Sequence, residues 1–169
     1  MPTEISGSTG VNKIQDDTVV AADIASSVAL GKVLGSEFIR QSSETAFSTT
    51  NQVTPTDMSG MSITYTPKSS TSSLFLIATL TSLNVGTGSY QGSFFQLTLS
   101  DNTVLASTGR TGPGNSAASQ GAMAISAEYT SHTAGTAITF KGRVATYGQY
   151  SATAYAYDRT IMLLEVEAN

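Results

Sequence analysis

Cysteine and tryptophan are both missing from the 169 residues, and there is a single histidine, His132. Without cysteine there can be no disulfide and no thiolate-held zinc. One histidine cannot build the usual His-rich zinc site, and any Ser-His-Asp relay would have to run through His132. Its neighbours Ser131, Thr133, Ala134 and Gly135 are turn-like, so an exposed loop histidine is expected. Charge is scarce as well. Only 12% of residues are charged, about half the usual share, and the eight Lys and Arg are scattered singly. A nucleic-acid surface needs clustered cations to displace counterions, which excludes that partner. Long apolar runs are missing too. None approaches the roughly 18 residues of a membrane helix, and Met1-Pro2-Thr3-Glu4 is not the basic, apolar start of a secretory signal. No membrane partner and synthesis in a cytoplasm are therefore expected.

The chain is rich in Ser and Thr, with 40% hydrophobic residues and a net charge of -4. Disordered chains are poor in hydrophobics and strongly charged; this one is weakly charged and holds its Val, Ile, Leu and Phe in short runs. Residues 1–44 are polar with apolar islands that include Val11, Ile14, Val19, Val20, Ile24, Val28 and Leu30. Asp17 could cap a short helix with Val20, Ile24 and Val28 on one stripe. Valines 19 and 20 are β-branched, and Gly31 and Gly35 interrupt the stretch beyond, so an extended arm is expected. Such an arm has no core of its own, and its islands need another surface.

From residue 45 to 169 the period changes to two. Met61, Ile63 and Tyr65 alternate with polar residues until Pro67 stops the run. Residues 74–80, Phe75 and Ile77 among them, are apolar on both faces, as in a strand covered on both sides. Phe95, Leu97 and Leu99 alternate next, and Ser100-Asp101-Asn102 marks a turn toward a strand at 103–106. Met123, Ile125, Ala127 and Tyr129 alternate; Ile138, Phe140 and Val144 come after them, with a bulge expected at Gly142. Tyr155 and Tyr157 alternate with alanines, and a last strand covers 160–167. Roughly eight short strands separated by turns, and no helical period among them, predict an all-β antiparallel β-sandwich with an extended N-terminal arm. In the last strand Met162, Leu164 and Val166 take one face and Ile161 and Leu163 the other. This doubled apolar character predicts a subunit interface that includes Ile161, Leu163, Phe75 and Ile77.

Chemistry-bearing patterns are weak. Asp16, Asp17 and Asp23 lack the spacing, glycine and distal Glu of a calcium loop, and the Gly86/Gly88 and Gly112/Gly114 pairs lack phosphate-loop spacing. Glu165 and Glu167 lie two residues apart on one strand face, about 7 Å by strand geometry, within glycosidase range, but their strand-end setting predicts solvated carboxylates. No catalytic residue, cofactor or metal is expected. Tyr147 and Tyr150 sit in a predicted loop, where tyrosine suits surface recognition.

Several stretches carry a resemblance. Phe47-Ser-Thr-Thr50 is followed by the segment 57–73, from Asp57 through Gly60-Met61 and Pro67 to Ser73, and then by the apolar strand 74–80; Met162-Leu-Leu-Glu-Val-Glu167 closes the chain. Together with the leader-like segment 7–24 these resemble structural proteins of tailed bacteriophages that carry a jelly-roll-like domain. Ser59-Gly60-Met61 departs from the plain Gly-Leu common there. The resemblance implies a virion component, often trimeric, that either decorates a capsid or ends a tail fibre. No heptad or β-helical repeat offers a fibre shaft. The expected reading is therefore a homotrimeric decoration (cement) protein on the outer surface of the capsid, its arm docked on the major capsid protein. The alternative is a tail-fibre tip that meets tail proteins or a host surface glycan.

Overall fold

Alternation sets the strand faces. In β3 (Thr56–Tyr65) the side chains of Met58, Met61, Ile63 and Tyr65 are buried while the residues between them are exposed. In β4 (Ser73–Gly86), Leu74, Leu76, Ala78 and Leu80 point inward. The other strands of the computed structural model are β1 (Val33–Gln41), β2 (Thr45–Thr49), β5 (Gly92–Leu99), β6 (Val104–Ser107), β7 (Ser119–Tyr129), β8 (Ile138–Tyr147) and β9 (Ala152–Val166). The structure describes residues 32–43, 45–49, 54–86, 92–108, 119–147 and 152–167, and there is no helix among them. All belong to the unit that spans residues 31–168.

The strands form two sheets. One has the order β1-β9-β4-β7, with β2 also paired to β9; the other has the order β3-β8-β5-β6. Every pairing is antiparallel. β1 lies along residues 159–166 of β9 and β2 along residues 152–156, so the two act as one broken edge strand. Counted that way, the first, eighth, third and sixth strands face the second, seventh, fourth and fifth, which is the order of an eight-stranded jelly roll. The core lies between the sheets: Leu74, Leu76, Ile161 and Leu163 on one side, Met61, Ile63, Phe95, Leu97, Phe140 and Val144 on the other. Tyr129 meets Phe140 edge-on at 5.7 Å between ring centroids, a favoured aromatic geometry.

The all-β sandwich expected from the periodicity is the observed fold. Three details differ. Residues 33–41, expected as part of the arm, are β1 and pair with β9; residues 1–31 lie outside the described residues. The stretch around Tyr155 and Tyr157 and the last strand are one 15-residue strand, β9. The bulge expected at Gly142 belongs instead to the facing strand. Asp57 pairs with Arg143 and Ser62 with Lys141, so residues 58–61 of β3 arch over Gly142 alone, and Gly60 supplies the positive φ of +73° that the arch requires. The turn after β5 is as expected: Asn102 has φ 73°, its N–H donates to the Leu99 carbonyl, and Thr103 N donates to the Asp101 carboxylate at 2.9 Å.

Gly142 is glycine because of what lies over it. A Cβ there would come within 2.9 Å of Met61 Cε and 3.1 Å of Phe95 Cε2. Gly142→Ala should therefore lower the urea midpoint, with a loss of about 1–3 kcal/mol from overpacking. An unchanged midpoint would show that the β3 arch yields freely.

Candidate functional site

Two features of the β1-β9-β4-β7 sheet are candidates for function, one on each face. On the outer face the register sets side chains in rows. Leu164 lies between Ser36 and Phe75, and Met162 between Phe38 and Ile77; Val166 lies between Val33 and Ser73. Phe38 is 57% exposed, Val33 57%, Phe75 41% and Ile77 43%, with Met162, Leu164 and Val166 half-buried among them. A sheet face in water normally carries polar side chains; this one is apolar across β1, β9 and β4. At one end the exposed pair Arg40–Asp158 (3.1 Å) borders it, and Glu128, opposite Phe75 on β7, borders it at another.

The expected interface set is therefore split. Phe75 and Ile77 stand on this outer face. Ile161 and Leu163 do not: both are wholly buried between the sheets, and no second copy could touch them without opening the core. Their strand neighbours Met162 and Leu164 take the outward positions, because side chains alternate along a strand. Phe38 carries the patch onto β1, and sequence reasoning misses it because 33–41 reads as arm.

The inner face of β9 carries two buried charges. Glu165, expected to be solvated, is wholly buried. Its carboxylate accepts hydrogen bonds from Ser72 Oγ (2.6 Å), Tyr65 Oη (2.8 Å), Lys68 N (2.9 Å) and Ser69 N (3.0 Å). Burial by itself would raise its pKa, but these donors outweigh it and hold the carboxyl at about 2. Burial, together with the hydrogen bond to Glu165, pushes the Tyr65 hydroxyl up to about 12. Gly35 pairs with Glu165 in register, and a side chain there would strike the Tyr65 hydroxyl. Arg159, also buried, donates to the carbonyls of Ser43 (2.9 Å), Ser59 (3.0 Å) and Ala156 (3.3 Å). It thus ties the link between β1 and β2 and the arch of β3 to β9, and its burial lowers its pKa. Both charges share the phase of Ile161 and Leu163, which is the available signal in the sequence.

The hydrogen bonds of both charges run to other parts of this same chain. Glu165 and Glu167 are not a catalytic pair: Glu167 is exposed beyond the strand end, while the oxygens of Glu165 are taken up by donors of its own chain. His132 is half-buried rather than an exposed loop residue. Its Nε2 lies 2.8 Å from the Ser72 carbonyl oxygen, and its ring stands 6.3 Å from that of Tyr129. It braces the turn that feeds Glu165. Among the described residues no group of three or more His, Asp or Glu could hold a metal ion. Asp57 instead bridges Lys141 (2.7 Å) and Arg143 (2.8 Å) on the other sheet. Val11, Ile14, Val19, Val20, Ile24, Val28, Leu30 and Tyr150 lie outside the described residues, as does the Tyr147 side chain, whose backbone pairs with Gly92 at the end of β8.

No family model matches the chain, and no curated protein matches it. Among solved structures, the chain is similar to that of the Gx strain of infectious bursal disease virus (13% identity, TM-score 0.43, 80% of this chain and 37% of that one). It is similar also to the VP2 subviral particle of the same virus (13%, 0.44, 79% and 37%) and to the Gt strain (14%, 0.40, 95% and 43%). The chain spans less than half the length of each. The jelly-roll order of the two sheets rests on the strand pairing alone.

The low pKa of Glu165 makes a linkage prediction. A carboxyl held from 4.5 down to about 2 contributes on the order of 3 kcal/mol to stability. That contribution is complete above the unfolded pKa and is lost as pH falls from 4.5 toward 2. Urea unfolding of the parent and of Glu165→Gln should therefore show a stability gap that narrows between pH 6 and pH 3. A gap that stays constant across that range would refute the ionised, hydrogen-bonded state.

Proposed function

We propose that this chain is a non-enzymatic structural subunit of a virus particle: a trimeric capsid-decoration protein of a bacteriophage, bound by its N-terminal segment to the major capsid protein on the outer surface of the head. One observation carries the self-assembly part. A jelly-roll sheet leaves Phe38, Phe75, Ile77, Met162 and Leu164 side by side on its outside, and contiguous exposed apolar area on a soluble domain marks an interaction surface. The polar groups that could do chemistry point the other way and are consumed in holding the sheet. The resemblance of segments 47–80 and 162–167 to tailed-phage structural proteins supplies the virion setting. Binding only to the assembled shell would stabilise it by mass action. The tail-tip alternative would rest on Tyr147 and Tyr150, and nothing among the described residues favours it.

Two variants test the reading. Phe75→Ser with Ile77→Ser changes exposed positions only, so the fold should persist by circular dichroism. The trimer should then weaken at least tenfold in sedimentation equilibrium. A chain without residues 1–31, a cut that leaves β1 whole, should remain trimeric but no longer bind stripped phage heads. A parent protein that is monomeric at tens of micromolar and ignores such heads would overturn the proposal.

A further inference from the structure

A strand at a sheet edge offers a free row of backbone N–H and C=O groups, and soluble proteins defend such rows with charge, proline, bulges or shortness. Here the described edges are defended unequally. β1 carries Glu37 and Arg40 and a register shift between Val33 and Gly35. β3 is broken by its arch over Gly142, carries Asp57 and lies between Pro55 and Pro67. β2 has five residues, and β6 has four with a register shift against β5. β7 has the weakest of these defences, a single charge, Glu128, one residue from its C-terminal end. It runs for 11 residues, in unbroken register with β4 from Leu74↔Tyr129 to Asn84↔Ser119, and holds no Pro, Lys or Arg. Among the described residues no strand pairs with its outer edge. Its outward side chains at Ala122, Ala124 and Ser126 are small and exposed, and Met123 on the inward side is buried.

We infer that β7 pairs antiparallel with β7 of a second copy of this chain, about a two-fold axis at Ala124. The sequence of the strand is self-complementary in that register. Ala124 is the midpoint of Ser119–Tyr129, so all 11 residues are engaged. Met123 then falls opposite Ile125 of the other copy on the inward side, and Ala122 opposite Ser126 on the outward side. Glu128, the one charge on the strand, falls opposite Gln120 rather than its own twin, which avoids the penalty of like charges placed directly opposite. The result is a continuous sheet in the order β1-β9-β4-β7-β7-β4-β9-β1. Because the axis is perpendicular to the sheet, the two apolar outer faces lie on the same side and add into one broader surface. The edge contact and the face contact use different parts of the sheet, so one subunit can make both. The face contact closes a trimer, and the edge contact joins a subunit of one trimer to a subunit of the next, a weaker encounter that a disulfide traps. This inference rests on the self-assembly part of the proposed function and names a contact that part did not contain.

The absence of cysteine from the chain makes the test clean. Directly opposed residues of an antiparallel pair have Cα atoms about 4.5–5.5 Å apart, inside the disulfide range, whereas residue 122 and its twin would be separated by about 13 Å of strand. Full-length Ala124→Cys, oxidised in free solution without heads, should run mostly as a two-chain species on a non-reducing denaturing gel. Ala122→Cys and Ser126→Cys should each remain single-chain alone and cross-link when mixed. The two-fold edge is overturned if Ala124→Cys dimerises no more than Thr64→Cys, an exposed control on β3, or if Ala122→Cys links to itself as readily as Ala124→Cys does. The mixed pair serves the same purpose should Ala124→Cys fold poorly. Head binding plays no part in the readout, so loss of head binding with intact cross-links would sink the virion reading alone, and the reverse would sink this contact alone.

Discussion

An ionised carboxylate shut away from water must have its lone pairs filled or it will not stay ionised. Glu165 meets that demand with donors from one turn, residues 68–72, and from Tyr65 at the end of β3. The consequence reaches past one residue. The turn leads from β3 in one sheet to β4 in the other, and β9, which carries Glu165, lies beside β4. A single side chain thus fixes where the chain crosses between the sheets. Arg159 does the corresponding work six residues earlier on the same face, with carbonyls in place of N–H groups. β9 is anchored at both places, and the two stretches of edge strand, β1 and β2, can divide its length between them.

The sandwich is legible in the sequence, and for a physical reason. Alternation in 61–65, 95–99 and 123–129 reflects strands with one face on the core, and that pattern survives whatever the strands pair with. Pairing itself leaves little local trace. Nothing near Val33 says that β1 will lie on β9, so the stretch reads as arm. Nothing near Gly142 says that the irregularity belongs to β3 across from it, because a glycine that makes room for Met61 looks in sequence like a glycine that bends its own strand.

Local spacing exchanges the roles of the two faces of β9. It assigns Ile161 and Leu163 to the interface and Glu165 to a wet strand end, since a carboxylate in phase with them implies that their face returns to water. That logic holds for a carboxylate without partners. It fails here because the partners lie about a hundred residues away, in Tyr65 and the 68–72 turn, and a long-range hydrogen-bond set cannot be counted from local spacing. Once Glu165 is placed inside, phase alone turns Met162 and Leu164 outward beside Phe75 and Ile77.

That inversion connects stability to the exposed apolar face. A core held by apolar packing alone could exchange its inner and outer faces by a one-residue slip of register, because both faces of β9 and of β4 are greasy. A slip of β9 would carry Glu165 and Arg159 out of their hydrogen bonds and leave the opposing donors and carbonyls unsatisfied, a larger penalty than burying Met162 for Leu163 could offset. The buried charges therefore act as a register pin, and they leave the outer face free to be apolar. In this sheet the polar groups specify the fold, and the hydrophobic ones left over are available for contact.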